Sequence, residues 1–498
     1  MKARQISAHA LFHKLKNRRM VIFGAGRKLD SVFRKFKEYQ FEKYVDYIVD
    51  NNQKLWGTVK MLGDMQIPIR SVQYMKNHIN RKTIIVIMIK QYSEVAEQLS
   101  GYKELRHNPL YRCPEYHYLT EKKMDAFITK QPLKNTIMFQ GEGDNRENSL
   151  ALYEYMSEHG LLKKYRIVWI CNHPKNFSHV RHVSFINRNL YDRIPGLFDI
   201  WKDKYYRYTA RYLYYENKII PKKRDGQIAV YLKHGTFMLK NVKGKICIPE
   251  EVEGAICTSQ NYADLAAEQE SITKEKLIIC GSPRLDFLYK QKNVLQTLGQ
   301  WEKGKKYILW LPTLRQSKTV KRNDVKHTAP LGIPLIKSKE ELELMEKHLD
   351  KLDVKLIIKP HPHQDLSVYK IGHYKNIVFL PQDVLDQYDF TIHSLMRETD
   401  ALITDYSSIA FDYMLLDRPI AYTVDDMEDY MIGFSVGNPF DYMPGEKLYA
   451  CEDIFRFIQN VEDGTDSYAN QRREIRDYVH EYQDDKNSER FLKIMGMC

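Results

Sequence analysis

Three short polar clusters in this 498-residue sequence carry residue types suited to handling phosphate. Lys233-His234-Gly235-Thr236 follows the apolar run IAVYL, so its histidine stands at a strand end beside a glycine, where it can meet a substrate. A lone histidine in such a place is more often structural. Lys359-Pro360-His361-Pro362-His363 repeats the arrangement after VKLII, and two strand-end histidines in successive α/β segments predict a pair facing one cleft. Thr404-Asp405-Tyr406-Ser407-Ser408 follows DALI and precedes the helix-like IAFDYMLL. Small hydroxyl residues at a helix start expose backbone N–H groups and the positive end of the helix dipole, a setting that holds phosphate. Serine and aspartate also serve as plain N-caps, but two serines plus Asp405 exceed what one cap needs. Gly281-Ser282-Pro283-Arg284 and Pro312-Thr313-Leu314-Arg315 each put an arginine just past a strand. Arginine there suits an anionic donor or a surface ion pair.

These clusters need strands to carry them, and the chain alternates strand and helix signals throughout. MVIFGAG, a helix-like stretch from Asp30 to Tyr39, VDYIVD, TIIVIMI and a helix-like Ser93–Leu105 read as a small parallel α/β domain. The stretch from His107 to Tyr118 holds two prolines and reads as a linker. A second α/β pattern runs from NTIMFQGEG through YRIVWIC and QIAVYLKHGT to LIICGSPR, and a third from KYILWLPTLR to RPIAYTV. Ligands of open α/β sheets bind at the C-terminal strand ends, where the polar clusters fall. Gly24-Ala25-Gly26 has the first two glycines of a dinucleotide turn, with Asp50 at about the right distance for a ribose. Leu29 replaces the third glycine, so a Rossmann-like turn with no dinucleotide fits equally.

Composition narrows the function classes. The chain is 43% hydrophobic and 28% charged, as a folded protein is, and its length suggests two to four domains. No window resembles a membrane span, and the N-terminus lacks the apolar stretch of a secretion signal. Seven scattered cysteines without a CxxC pair argue against a disulfide framework or a structural zinc site, and fit a reducing cytoplasm. A net charge of +13 calls for an anionic partner: nucleic acid, an anionic membrane surface or phosphate-bearing small molecules. The run from Lys202 to Arg224 mixes Tyr205, Tyr206, Tyr208, Tyr212, Tyr214 and Tyr215 with basic residues. It could stack on bases, bury tyrosines in a core, or lie on a membrane. Lys2 to Arg19, with six basic and no acidic residues, is a second membrane candidate.

In order, HGT, GSPRLD, PTLR, KPHPH, TDYSSIAFDY and RPIAYTVDDMEDY…GF resemble the CDP-glycerol:glycerophosphotransferase family, the teichoic acid polymerases, over roughly residues 130–475. MFQGEGDNRENSLALYEYM is similar to that family's catalytic-domain start. The resemblance implies an α/β fold: a GT-B type pair of Rossmann-like domains, acceptor half 126–300 and nucleotide-donor half 301–498 with C-terminal helices, preceded by a small Rossmann-like domain at 1–125 with a basic N-terminal segment. It implies transfer of glycerol phosphate or ribitol phosphate from a CDP-polyol to a hydroxyl of a cell-surface polymer or its lipid-linked precursor, with CMP released. Resemblance and chemistry together suggest His234 as the base for the acceptor hydroxyl. His361 would stabilise the pyrophosphate or protonate the leaving group. Thr404, Asp405, Ser407, Ser408, Arg284, Arg315 and Lys359 would hold the donor phosphates, and Gly235, Thr236 and Lys240 would lie on the acceptor side. The chain departs from the family pattern twice. Phe237 stands where a proline is usual and Lys240 comes one place late; Ile432-Gly433-Phe434 lacks an arginine before its glycine. These departures bear on the acceptor pocket and on the contact to the polyol. No cofactor and no metal are expected, and no nucleic acid. The enzyme is expected in the cytoplasm, peripherally bound to the inner face of the cell membrane. The alternatives are a GT-B glycosyltransferase using a sugar nucleotide and, further off, a non-catalytic nucleic-acid-binding protein.

Overall fold

The computed structural model describes residues 3–89, 91–112, 118–141, 147–174, 180, 182–190, 196–237, 239–245, 248–314, 316–317, 322–323, 331–361, 364 and 373–498. The chain divides into two compact units, residues 1–136 with 168–211 and residues 137–167 with 212–498.

The first unit holds β1 (Met20–Phe23), β2 (Val45–Val49), β3 (Val59–Leu62), β4 (Met65–Arg70), β5 (Ile84–Ile87) and β6 (Leu110–Arg112), ordered β3-β4-β2-β1-β5-β6. All neighbours are parallel except the β3–β4 hairpin. The central strands are apolar on both faces because both faces are covered. Met20 and Ile22 with Ile84 and Val86 pack into one cluster, Val21 and Phe23 with Ile85 and Ile87 into the other. The stretch expected to be a linker contains β6, an edge strand: Leu110 and Tyr111 are buried on β5, and tertiary pairing overrides the local proline signal.

The glycine turn after β1 is closed on itself. Asp50 accepts hydrogen bonds from the backbone N–H of Ala25 (2.8 Å) and of Asn52 (2.9 Å), so both its oxygens brace the turn. Gly24 has a φ of +106°, and a Cβ there would stand 2.4 Å from Ile89 Cγ2. Glycine is needed for the backbone and for the space, and Leu29, fully buried, fills the core where a third glycine would have been.

The chain continues through β7 (Lys134–Gln140), β8 (Arg166–Cys171), β9 (Val183–Asn187), β10 (Ala210–Tyr215), β11 (Ile228–Tyr231), β12 (Gly254–Cys257) and β13 (Leu277–Ile279). In the second unit, these strands lie in the order β13-β12-β11-β10-β7. Then come β14 (Lys306–Trp310), a small antiparallel ribbon of β15 (Gln316–Ser317) and β16 (Arg322–Asn323), β17 (Val354–Ile358), β18 (Ile377–Phe379), β19 (Ala401–Thr404), β20 (Ile420–Thr423) and β21 (Glu446–Leu448). The last parallel sheet is ordered β18-β17-β14-β19-β20-β21. Alternation of side chains again serves two cores: Tyr307 and Leu309 face one cluster, Ile308 and Trp310 the other.

The run from Lys202 to Arg224 is not one surface helix. A helix covers Leu197–Thr209, and the chain then enters β10, where Tyr212, Tyr214 and Tyr215 are buried. Those three tyrosines reach neither bases nor lipid. Polar clusters follow the ends of β10, β11, β13, β14, β17 and β19, the carboxyl ends at which parallel sheets bind ligands.

Candidate functional site

Arg284 stands in a 3₁₀ turn (Pro283–Leu288) after β13, and it is 3% exposed. One terminal nitrogen donates to Glu147 Oε2 at 2.8 Å and to the carbonyl of His234. The other donates to Asp412 Oδ2 at 2.8 Å and to Thr236 Oγ1 at 3.3 Å. A planar fork with several donors can join two carboxylates and a turn carbonyl at once; a lysine cannot. Arg284 was expected on the donor phosphates, and Thr236 on the acceptor side. In the structure both point into this buried network, Thr236 donating to Asp412 Oδ1.

Asp412 lies in the short helix Ile409–Tyr413, fully buried, and also bonds His393 Nε2 at 2.9 Å. Burial by itself would raise its carboxyl, but Arg284 and His393 hold it well below the usual carboxylate range. Glu147 opens the helix Glu147–Glu158. Burial pushes its carboxyl up, yet Arg284, and behind it His234 and His393, bring it down to about 2. Its Oε2 is 4.0 Å from His234 Nδ1, within ion-pair reach of an imidazole that is 44% exposed.

The turn that carries His234 is clamped from several sides. Lys233 has a φ of +55°, a left-handed conformation that a lysine adopts at a cost. Its ammonium is buried against Glu270 Oε2 at 3.0 Å. Asn148 Nδ2 donates to the carbonyls of Leu232 (2.8 Å) and Lys233 (3.1 Å), while its Oδ1 accepts from Ser282 Oγ and the N–H of Arg284. Gly235 is buried in the same turn. Phe237, fully buried, packs on Phe411 (4.6 Å between centroids), Tyr442 and Tyr262.

Lys240 forms an antiparallel bridge with Phe434, and its ammonium lies 5.7 Å from the Tyr430 ring centroid. The two departures from the family pattern, Phe237/Lys240 and Ile432-Gly433-Phe434, are therefore joined: Asn241 N–H donates to Gly433 O and Ser435 N–H to Leu239 O.

On the other sheet, Lys359 follows β17 and is 6% exposed. Among the described residues nothing hydrogen-bonds or pairs with its ammonium. Burial draws its pKa down to about 8, against the charges of Asp386 and Glu147. His361, two residues on, is half-buried, and its carbonyl accepts from the Gln364 N–H at 2.8 Å. Asp405 Oδ2 accepts from Thr313 N–H (2.8 Å) and Oγ1 (3.0 Å), and Thr404 Oγ1 donates to Leu311 O. Both residues tie β19 to β14. Ser408 caps the helix through its backbone, and Ser407 Oγ accepts from Ile409 N–H at 3.4 Å; both serines are half-buried. Arg315 lies outside the described residues, as does His363. Among the described residues no group of three His, Cys, Asp or Glu is placed to hold a metal ion.

Glu147, Asp412, His393 and Glu216 were not singled out from sequence. Their signal was present in kind: a lone carboxylate inside the apolar run IAFDYMLL, and another closing the strand YLYYE. A charge in such a place needs a partner.

The profile of the family described as CDP-Glycerol:Poly(glycerophosphate) glycerophosphotransferase matches residues 123–495. A teichoic acid ribitol-phosphate primase of Bacillus spizizenii is 24% identical over 338 residues, 62% of this chain and 81% of the primase. The teichoic acid ribitol-phosphate polymerase TarK of Staphylococcus aureus is 26% identical over 246 residues, 48% of this chain but only 44% of TarK. A solved structure of the wall teichoic acid polymerase TagF matches with a TM-score of 0.57 at 19% identity, covering 82% of this chain and 98% of that one. The likeness is one of fold, α/β with the GT-B type pairing of Rossmann-like sheets.

Glu216, just past β10, accepts from Ser149 N–H (2.8 Å) and Oγ (3.0 Å). Burial first, and the negative charge of Glu147 second, push its carboxyl up to about 8. An acid whose folded value exceeds its unfolded value near 4.5 holds its proton more tightly in the folded state. The stability it contributes is complete below pH 4.5 and is lost as pH rises through 8. Glu216→Gln keeps an acceptor for Ser149 and removes the ionisation. The variant should match the wild type in chemical unfolding near pH 4.5 and exceed it at pH 8.5, the gap growing by up to about 1.4 kcal/mol per pH unit. A gap that does not change with pH would show that Glu216 ionises normally.

Proposed function

Because this chain belongs to the CDP-glycerol:poly(glycerophosphate) glycerophosphotransferase family, and so is a transferase of polyol phosphate from a CDP-polyol donor, we propose that its reaction runs between His234 and Lys359. One observation carries this reading. The Glu147 carboxylate is in ion-pair reach of the half-exposed imidazole, and its charge, after that of Asp386, acts on the buried Lys359 ammonium.

In the proposed step an acceptor hydroxyl attacks the β-phosphorus of the donor. The new bond joins that oxygen to phosphorus, the pyrophosphate P–O bond breaks, and CMP leaves with the electron pair. His234 takes the hydroxyl proton, and Glu147 stabilises the imidazolium that results. A desolvated ammonium with no partner among the described residues is a strong attractor of an anion, since binding one supplies a counter-charge. Lys359 therefore meets the donor phosphates, with Ser407, Ser408 and the backbone beside them, and His361 acts on the leaving side. Arg315, read from the sequence, joins them. Charge on the phosphate oxygens is met in this scheme by side chains and backbone amides rather than by a metal. Glycerol phosphate and ribitol phosphate are both candidate cargoes, and the acceptor is a surface polymer or its lipid-linked precursor. Lys240, with its aromatic neighbour Tyr430, lies on the acceptor side.

The same reading puts the enzyme at the inner face of the membrane. No helix among the described residues is long and apolar enough to cross a bilayer. The helix Leu197–Thr209 supports a surface contact in its place. Phe198 is 71% exposed, and Phe198, Trp201 and Tyr205 form a stacked ladder at 6.3 and 4.7 Å. Aromatic rings beside basic residues favour an anionic interface.

CMP release from CDP-glycerol and from CDP-ribitol, measured separately with a polymer acceptor, identifies the cargo. His234→Ala should lower turnover about a hundredfold or more with donor affinity kept, and Lys359→Met should weaken donor binding. Near-normal turnover in folded His234→Ala would reduce the histidine to a strand-end structural residue. Sedimentation with anionic liposomes, reversed by salt because such attraction is screened, is expected of the intact chain. Binding indifferent to lipid charge and to salt would end the electrostatic account, and salt-sensitive binding to RNA without liposome binding would favour a nucleic-acid partner.

A further inference from the structure

We propose that Arg284 is a positioning residue of the His234 turn and not a ligand of the donor phosphates. The proposal rests on the reading that His234 takes the acceptor proton.

Both terminal nitrogens of Arg284 are already committed. They face Glu147 and the His234 carbonyl on one side and Asp412 and Thr236 on the other. Its Nε has no partner among the described residues but is itself buried. To bind a phosphate, the guanidinium would have to leave two carboxylates, one of them fully buried, with only the His393 imidazole on Asp412 and the more distant His234 imidazole near Glu147 among the described residues. A donor phosphate adds further negative charge and cannot compensate for that loss.

What the guanidinium does hold is the frame of the base. It grips the backbone of His234 through the carbonyl and the flanking Thr236 through the hydroxyl. It also grips Glu147, the carboxylate that among the described residues is in ion-pair reach of the imidazole. The far end of the bridge is Asp412, four residues beyond Ser408 in the segment expected to meet the donor phosphates. Two independent anchors show that this turn needs holding. Lys233 sits in the left-handed region, and Asn148 clamps the carbonyls of Leu232 and Lys233 while accepting the N–H of Arg284. Arg284 thus ties the acceptor-side base and the donor-side helix into one rigid assembly.

The two roles separate in the kinetics. A phosphate ligand that is lost raises the donor KM. A positioning residue that is lost lowers kcat while donor affinity holds, because the donor contacts stay in place and only the base is misaimed. Arg284→Lys keeps the charge but cannot span both carboxylates. Arg284→Lys should lose turnover by about a hundredfold, with the donor KM changed less than about threefold. Should that variant fail to fold by thermal unfolding, Asp412→Asn and Thr236→Val loosen the same bridge from its other end, and the same split is expected in reduced form. His234→Ala measured alongside keeps the two ideas apart. Normal turnover in His234→Ala would mean the base assignment has failed. An inactive His234→Ala, together with an Arg284→Lys enzyme that keeps kcat and loses donor affinity, would overturn the positioning role alone. Undiminished kcat in Arg284→Lys, or in both bridge variants if that protein does not fold, would overturn it as well.

Discussion

The candidate site of this protein depends on one buried ionic bridge, in which a single guanidinium lies between the carboxylates of Glu147 and Asp412. Removing three charges from water is costly, and the cost is recovered only where geometry is good and remaining hydrogen-bonding capacity is filled. Here most of it is filled from several elements, Thr236 and His393 on Asp412 and the His234 carbonyl on Arg284, while Arg284 Nε is buried with no partner among the described residues. Such a bridge adds little net stability compared with an apolar core. It fixes where its members stand. Losing one partner leaves an uncompensated charge, so the arrangement tolerates little drift.

The bridge also sets apart two carboxylates of one neighbourhood. Glu147, against the guanidinium, stays ionised at about 2, whereas Glu216, buried and repelled by Glu147, is pushed up to about 8 despite its bonds from Ser149. One residue type thus supplies a fixed negative charge beside an imidazole and, behind it, a neutral acid across most of the working pH range. Environments that drive like groups apart in this way are characteristic of sites where protons move. Lys359 completes the pattern on the opposite sign: an ammonium that burial draws down to about 8, against the charges of Asp386 and Glu147.

The first unit teaches the opposite lesson. Its glycine turn and Asp50 have the spacing of a dinucleotide site, yet Asp50 spends both oxygens on the backbone N–H groups of Ala25 and Asn52. The same residues that would hold a ribose serve to brace a strand–helix turn. A spacing pattern cannot separate those outcomes, because both need a carboxylate at the end of the second strand. Much the same holds for the basic–aromatic run, where the tyrosines of β10 and Tyr206 of the preceding helix are buried and Tyr205 and Tyr208 are half-buried.

Local sequence determined the α/β class, the strands and the polar clusters at their ends, since apolar runs in a parallel sheet and the turns that follow them are local in sequence. It also marked His234 and His361 as candidate catalytic residues, with Lys359 among those expected on the donor phosphates. The partners of Arg284 were decided elsewhere. Glu147, Thr236 and Asp412 lie 137, 48 and 128 positions from it, and no periodicity links residues at such distances. An arginine past a strand looks alike whether it meets a phosphate or a carboxylate. Only the packing of one strand end against another chooses, by bringing a buried negative charge within reach before any ligand arrives. The joining of Lys240 to Phe434 had the same origin. Each read from the sequence as a separate irregularity, and a backbone bridge made them neighbours.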